Sequence, residues 1–458
     1  MRIERDYLGE MEIEDEAYYG IHTKRALLNF PKTGEKFDEK FIWAYFMLKK
    51  AAALLNFQLG YMDERIAKAI TTACDEWEFL KDHIVVDPLC GGAGTSLNMN
   101  INEVVANRAT EILGGRKGEY IVDPINHVNL HQSTNDTFPT AAKIAVITRI
   151  EEIEKEIIEL QDEIQIKERE FYGVRKPART QLMDGPPIML GQEFGAFAEA
   201  LSRDRWRLNK MVERMRSVNI GGTAVGTGIG APKDYILRIV EMVRSTTKVK
   251  VAKAENLIDA TQNWDTFVEV HGLLKSLAVN LYKISNDLRL LASGPQTAIG
   301  EIILPKVQAG SSIMPGKINP IVLEYVMQIC HIVFANDVAI THAASLGNLE
   351  LNQFAPLIVH LTLKSINLLV ESMKSLKNYV KGIKADAERC EENLRRSVAN
   401  LTPLINLFGY NKVAEAIKEA DWNIEKALKI LVNGDEKELL KLRKRLNILK
   451  MTGLNYYL

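Results

Sequence analysis

Apolar residues recur at three-and-four spacing over several long stretches of the chain. Ile150, Ile153, Ile157, Leu160, Ile164 and Phe171 form one stripe, and Phe194, Phe197, Leu201, Leu208, Met211 and Met215 form a second. Phe267, Val270, Leu274, Leu277, Leu281, Ile284, Leu288 and Leu291 repeat the pattern until Gly294-Pro295 ends it. Ile366, Leu369, Met373, Leu376 and Val380 carry it once more. Such spacing gathers the apolar side chains on one helical face, and stripes of this length pack helix against helix. With the segment after Pro320, the pattern predicts about five long helices between residues 138 and 385, gathered in a bundle.

The flanks read differently. The first dozen residues alternate enough for a short β-hairpin, and residues 40 to 82 hold two amphipathic helices. From about residue 386 a charged helical tail runs to Leu458. The predicted fold is therefore all-α in three parts: a mostly helical N-terminal domain over 1–137, the long-helix bundle over 138–385, and a small helical domain over 386–458. Helices of roughly 30 residues are about 45 Å long. They carry more apolar surface than one bundle covers, so self-association is expected.

Composition narrows the class of protein. A chain of 458 residues with 47% hydrophobic residues can bury a large core. Its formal net charge is −1 with acidic and basic residues interleaved, which disfavours nucleic acid and membrane surfaces as partners. Cys74, Cys90, Cys330 and Cys390 lie far apart without a C-x-x-C pair, the pattern of reduced, buried thiols. The opening MRIERDYLGE lacks the basic and apolar regions of a secretory signal, and no uncharged apolar run is long enough to span a bilayer. A cytoplasmic location is expected.

Candidate chemistry gathers in four polar stretches. Gly310-Ser311-Ser312-Ile313-Met314-Pro315-Gly316-Lys317-Ile318-Asn319-Pro320 must be a loop, because two glycines and two prolines forbid a regular element. Its hydroxyls, ammonium and carboxamide suit a carboxylate and leave one hydroxyl for chemistry. In GGAGTSLNMNINE, from Gly91, the glycines expose amides, and Thr95 and Ser96 stand at the mouth of the following helix, a place suited to an anion. Ser133, Thr134 and Asn135 offer consecutive donors within HVNLHQSTNDTFPT, with Thr137 the expected N-cap and Pro139 in the first turn. The fourth stretch is ARTQLMDGPP, from Ala178, followed by LGQEF.

These stretches resemble the conserved blocks of the class II fumarase/aspartase superfamily, beginning with G-S-S-x-M-P-x-K-x-N-P. GGAGTS, QSTND and AYYGIHT, in which His22 and Arg25 become second-rank candidates, look like the aspartase branch. Gln181 stands where fumarases place a histidine that orders water, and a carboxamide cannot shuttle a proton. Asp123-Pro124 replaces the His-Pro of relatives that have a secondary anion site. The resemblance implies elimination of ammonia from aspartate, with fumarate hydration as the alternative. A non-catalytic structural relative is the rival from another class, disfavoured by intact Ser311, Lys317 and Asn319.

The resemblance also implies roles. Ser311 becomes the general base. Thr95, Ser96, Ser133, Thr134 and Ser312 are expected on the β-carboxylate, and Thr180, Lys317 and Asn319 on the α-carboxylate, with Gln181 beside them. Asn135 is expected to receive the departing amine. It further implies a homotetramer whose active sites are each assembled from three subunits around a small dicarboxylate. Neither cofactor nor metal is expected, since elimination needs none and no His/Asp/Glu cluster has ligand spacing.

Overall fold

In the computed structural model, which describes residues 1–446, the long helices are Thr134–Glu170, Leu190–Met215, Asp265–Leu291, Ile321–Ser345 and Ala355–Lys381. Every residue of the four apolar stripes is buried. The predicted bundle helices are thus present, and the faces that define them face inward. The last part of the charged tail, residues 447–458, lies outside the described residues.

Two compact units divide the chain. The first comprises residues 1–155, 204–278 and 329–371; the second comprises 156–203, 279–328 and the chain from 372 onward. In the first unit, strands Arg2–Asp6 and Gly9–Ile13 pair antiparallel as the alternation predicts. Asp38 and Asp63 cap the helices Glu39–Gln58 and Glu64–Asp75, each accepting from a backbone amide two residues on. The helix Thr95–Ile112 packs among these, and Asn98, Asn100, Asn102, Glu103 and Asn107 are all buried along it.

In the second unit, Arg175–Thr180 and Met183–Met189 form an antiparallel hairpin. Glu301, fully buried, accepts from Arg179 at 2.8 and 2.7 Å, from Lys176 at 3.1 Å and from Asn393 at 3.1 Å. One carboxylate therefore fixes the hairpin to the segment leading into residues 310–320, and the cost of burying it is offset by paired cations. Beyond Arg396, short helices close a separate small core around Leu401, Leu404, Leu428 and Leu439.

Ile321–Ser345 is the one described helix long and apolar enough to cross a membrane by length and composition, yet Glu324 and Asp337 lie on it. Asp337 binds the ring of His271 at 3.0 Å and also pairs with Lys275. The four cysteines are buried free thiols, as expected.

Candidate active site

In the first unit the two expected blocks pack together. Gly92, Ala93 and Gly94 all adopt left-handed backbone, with φ of 90°, 53° and 94°, and the helix begins at Thr95. A Cβ on Gly94 would stand 2.2 Å from the Phe138 ring, so glycine is required both by its φ and by that approach. This contact brings the Thr95 helix against the helix that carries Thr134. Thr95 is exposed and Ser96 half-buried at the opening.

The Ser133 turn departs from expectation. Its helix starts at Thr134, so the cap is Ser133, whose Oγ accepts from Asn135 N at 3.2 Å. Asp136 reaches back to accept from Ser133 N at 3.0 Å, the half of a capping box in which the third helical residue satisfies the amide of the cap. Thr137, expected as the cap, instead donates its hydroxyl to Ser133 O at 2.8 Å. Pro139 consequently lies beyond the first turn, where it removes the hydrogen bond to Asn135 O. Asn219 Nδ2 satisfies that carbonyl at 2.9 Å.

Beneath the turn, Asp136 is fully buried and also accepts from Gly221 N at 3.1 Å and Thr223 N at 2.9 Å. Burial pushes its carboxyl up to about 7, against the pull of these donors and of Lys49. Asn135 donates Nδ2 to Ala224 O at 2.7 Å, which leaves its Oδ1 to accept from an ammonium donor. The segment 219–230, which no motif marks in the sequence, closes this turn from beneath. Its signal was present as a run of glycines, four of them left-handed. Gly226 shows why: a Cβ there would stand 2.4 Å from the Ile258 backbone.

In the second unit, the 310–320 loop is closed by its own backbone. Gly310 N donates to Lys317 O at 2.9 Å, Lys317 N to Met314 O at 3.3 Å, and Asn319 Nδ2 to Gly310 O at 2.7 Å. Ser311 Oγ accepts from Met314 N at 2.9 Å and Ile313 N at 3.2 Å. Two amides aimed at one hydroxyl oxygen stabilise negative charge on it. Ser312 and Lys317 are exposed, and Asn319 is half-buried.

Thr180 and Gln181 are exposed at the tip of the hairpin. Gln181 and Leu182 both take left-handed backbone, with φ of 54° and 63°, a costly choice for residues with side chains. Of the second-rank candidates, Arg25 is engaged by Asp6 through two contacts of 2.8 Å. Burial lowers the His22 imidazole below its usual range. Within the units, cavities of about 350 and 650 Å³ are lined by none of the expected site residues.

Comparison with known proteins agrees with the blocks. A model of the family described as Lyase matches residues 9–335. Aspartate ammonia-lyase of Bacillus sp. is 43% identical over 427 residues, which cover 92% of this chain and 91% of the relative. That of Helicobacter pylori is 45% identical, with 92% and 91% covered. The chain belongs to the fumarase/aspartase superfamily.

Superfamily structures extend the match to the fold. A fumarate lyase:delta crystallin from Brucella melitensis, bound to cobalt, superposes with a TM-score of 0.93 at 41% identity, covering 98% of this chain and 99% of that one. A class II fumarase from Schistosoma mansoni gives 0.91 at 30% identity, with 98% of each chain covered.

Proposed function

We propose that this protein is an aspartate ammonia-lyase, which reversibly removes ammonia from L-aspartate to leave fumarate. The observation that carries the reading is the Ser311 oxygen held by two backbone amides inside a loop that also bears Lys317. Relatives of that name are nearer in sequence, at 42–45% identity, than the class II fumarase at 30%.

Ser311, as its alkoxide, takes the proton from Cβ, and the electron pair of that bond moves into the neighbouring carboxylate as an aci-carboxylate. Donors that bind this dianion more tightly than the starting carboxylate lower the barrier. Thr95, Ser96, Ser133, Thr134 and Ser312 take that task. Lys317, Asn319 and Thr180 hold the α-carboxylate, with Gln181 beside it, and Asn135 Oδ1 receives the amine. When the aci-carboxylate collapses, the Cα–Cβ double bond forms and the Cα–N bond breaks.

The site is assembled from three chains of a homotetramer. Support comes from the helix Ile321–Ser345, where Tyr325, Ile332 and Val338 remain 41%, 42% and 59% exposed in one chain. The three-part division at residues 137 and 385 and a cytoplasmic location belong to the same reading. Purified protein should form fumarate from L-aspartate, followed by ultraviolet absorbance, and far less from L-malate. The reverse preference would make it a fumarate hydratase, and turnover of neither would return the non-catalytic reading.

A further inference from the structure

Lys49 is fully buried in the helix Glu39–Gln58, and the proposed chemistry does not use it. Its Nζ lies 2.8 Å from Asn98 Oδ1, 3.0 Å from Asn129 Oδ1 and 3.1 Å from Gln132 Oε1. An ammonium has three N–H donors, and all three find a side-chain carbonyl. Asn98 stands one helical turn after Thr95, and Gln132 directly precedes Ser133. The two blocks expected to grip one carboxylate are therefore joined beneath the surface at a single nitrogen.

The acceptors are themselves fixed. Asn98 and Asn102 donate to Asn129 Oδ1 at 3.2 and 3.1 Å, Asn129 donates to Gln132 O at 3.1 Å, and Gln132 donates to Val128 O at 3.0 Å. With the ammonium in place, each amide has one orientation, and so has the backbone entering Ser133. Burial pulls the Lys49 ammonium down to about 7, while Asp136 and Cys74 favour the charge and the Tyr45 ring lies 5.7 Å away. A charge this enclosed is costly, and an apolar side chain would fill the same space more cheaply. A device that fixes relative placement gives the cost a use.

We propose that Lys49 is a positioning residue for the deamination, holding the Thr95 hydroxyl and the Ser133–Asn135 turn at the separation that the developing aci-carboxylate requires. The inference rests on the proposed function. Misplacement of a site by about 1 Å costs on the order of 100-fold in rate. Lys49→Met, on enzyme whose fold and oligomeric state match wild type, should lower kcat for L-aspartate about 100-fold while KM stays within about threefold.

A double-mutant cycle separates positioning from simple support of the fold. If Lys49 acts through the hydroxyls, Lys49→Met should cost less than about tenfold once Thr95→Ala or Ser133→Ala is present. The full loss repeated in both backgrounds, or a fall in melting temperature with unchanged kcat, overturns the proposal. Should Lys49→Met not fold, Gln132→Met removes one acceptor. It should lower kcat about tenfold, and near-normal turnover counts against the idea. If wild-type protein consumes no L-aspartate, the deamination reading has failed separately. Succinate titration calorimetry then tests the lock: Lys49→Met should weaken binding about tenfold in wild type but not beside Ser133→Ala, and equal affinities reject it.

Discussion

The loop at 310–320 and the pair of blocks around Thr95 and Ser133 are built by opposite means. Backbone holds the first: Gly310, Met314, Lys317 and the Ser311 oxygen are tied by main-chain amides and carbonyls, while Ile313 is 85% and Met314 49% exposed. Side chains hold the second: Lys49 and Thr137 both donate to Asn98, and Asp136 accepts from the amides of Ser133, Gly221 and Thr223, all four side chains buried below surface hydroxyls. A chain segment with few buried contacts can open at little cost, whereas a packed polar network resists any rearrangement. Under the proposed function, this contrast gives the reacting hydroxyl to the segment that opens more cheaply and fixed recognition to the packed blocks.

The sharpest way to break this contrast is at Ser311. Ser311→Ala should lower kcat about 1000-fold, as loss of a general base does, with a melting temperature within about 1 °C of wild type. Lys317→Ala in the same loop should act mainly on KM, since a charge-assisted hydrogen bond contributes about 1.5–3 kcal/mol to binding. Near-normal turnover in the first variant or an unchanged KM in the second removes the loop from the chemistry.

Asp136→Asn should do the reverse. It leaves backbone amides of Ser133, Gly221 and Thr223 facing a group that accepts poorly on one side, and should cost about 2–4 kcal/mol of stability by chemical denaturation. A variant as stable as wild type would show that the blocks are not held by this network.

The smallest effect concerns pH. Glu103, buried beside the same blocks, accepts from Gly20 N, His22 N and both polar groups of Thr23. Burial raises its carboxyl from 4.5 to about 7. In that window the folded protein keeps a proton that the unfolded chain has released, so this group's contribution falls as pH rises from 4.5 toward 7. Glu103→Gln should flatten the decline in unfolding free energy between about pH 5 and pH 7, a change of about 2 kcal/mol. An unaltered slope would show that Glu103 does not set it.

Much of this was written in the chain itself. Stripes such as Phe267 to Leu291 announce their helices because a period of three and four leaves only one face to bury, and all of them are buried. Gly310 and Gly316 mark the loop because side chains there meet backbone or strain: a Cβ on Gly310 would lie 2.6 Å from Lys317 O, and Gly316 has φ of 82°. The polar blocks were legible because their residue types state their chemistry.

Other features depend on neighbours distant in sequence. The hairpin tip at Gln181-Leu182 lacks the Asn-Gly that a left-handed two-residue turn prefers. Pro139 is tolerated inside a helix because Asn219 satisfies the carbonyl it frees. Lys49 and Lys50 look alike in the sequence, yet Lys50 pairs with Asp75 at the surface while Lys49 is wholly enclosed. Local pattern determines which face of an element is apolar and which groups are chemically able. Whether a given polar side chain meets water or three carbonyl oxygens is decided only when separate segments fold together, because the free energy of a buried charge resides in its surroundings.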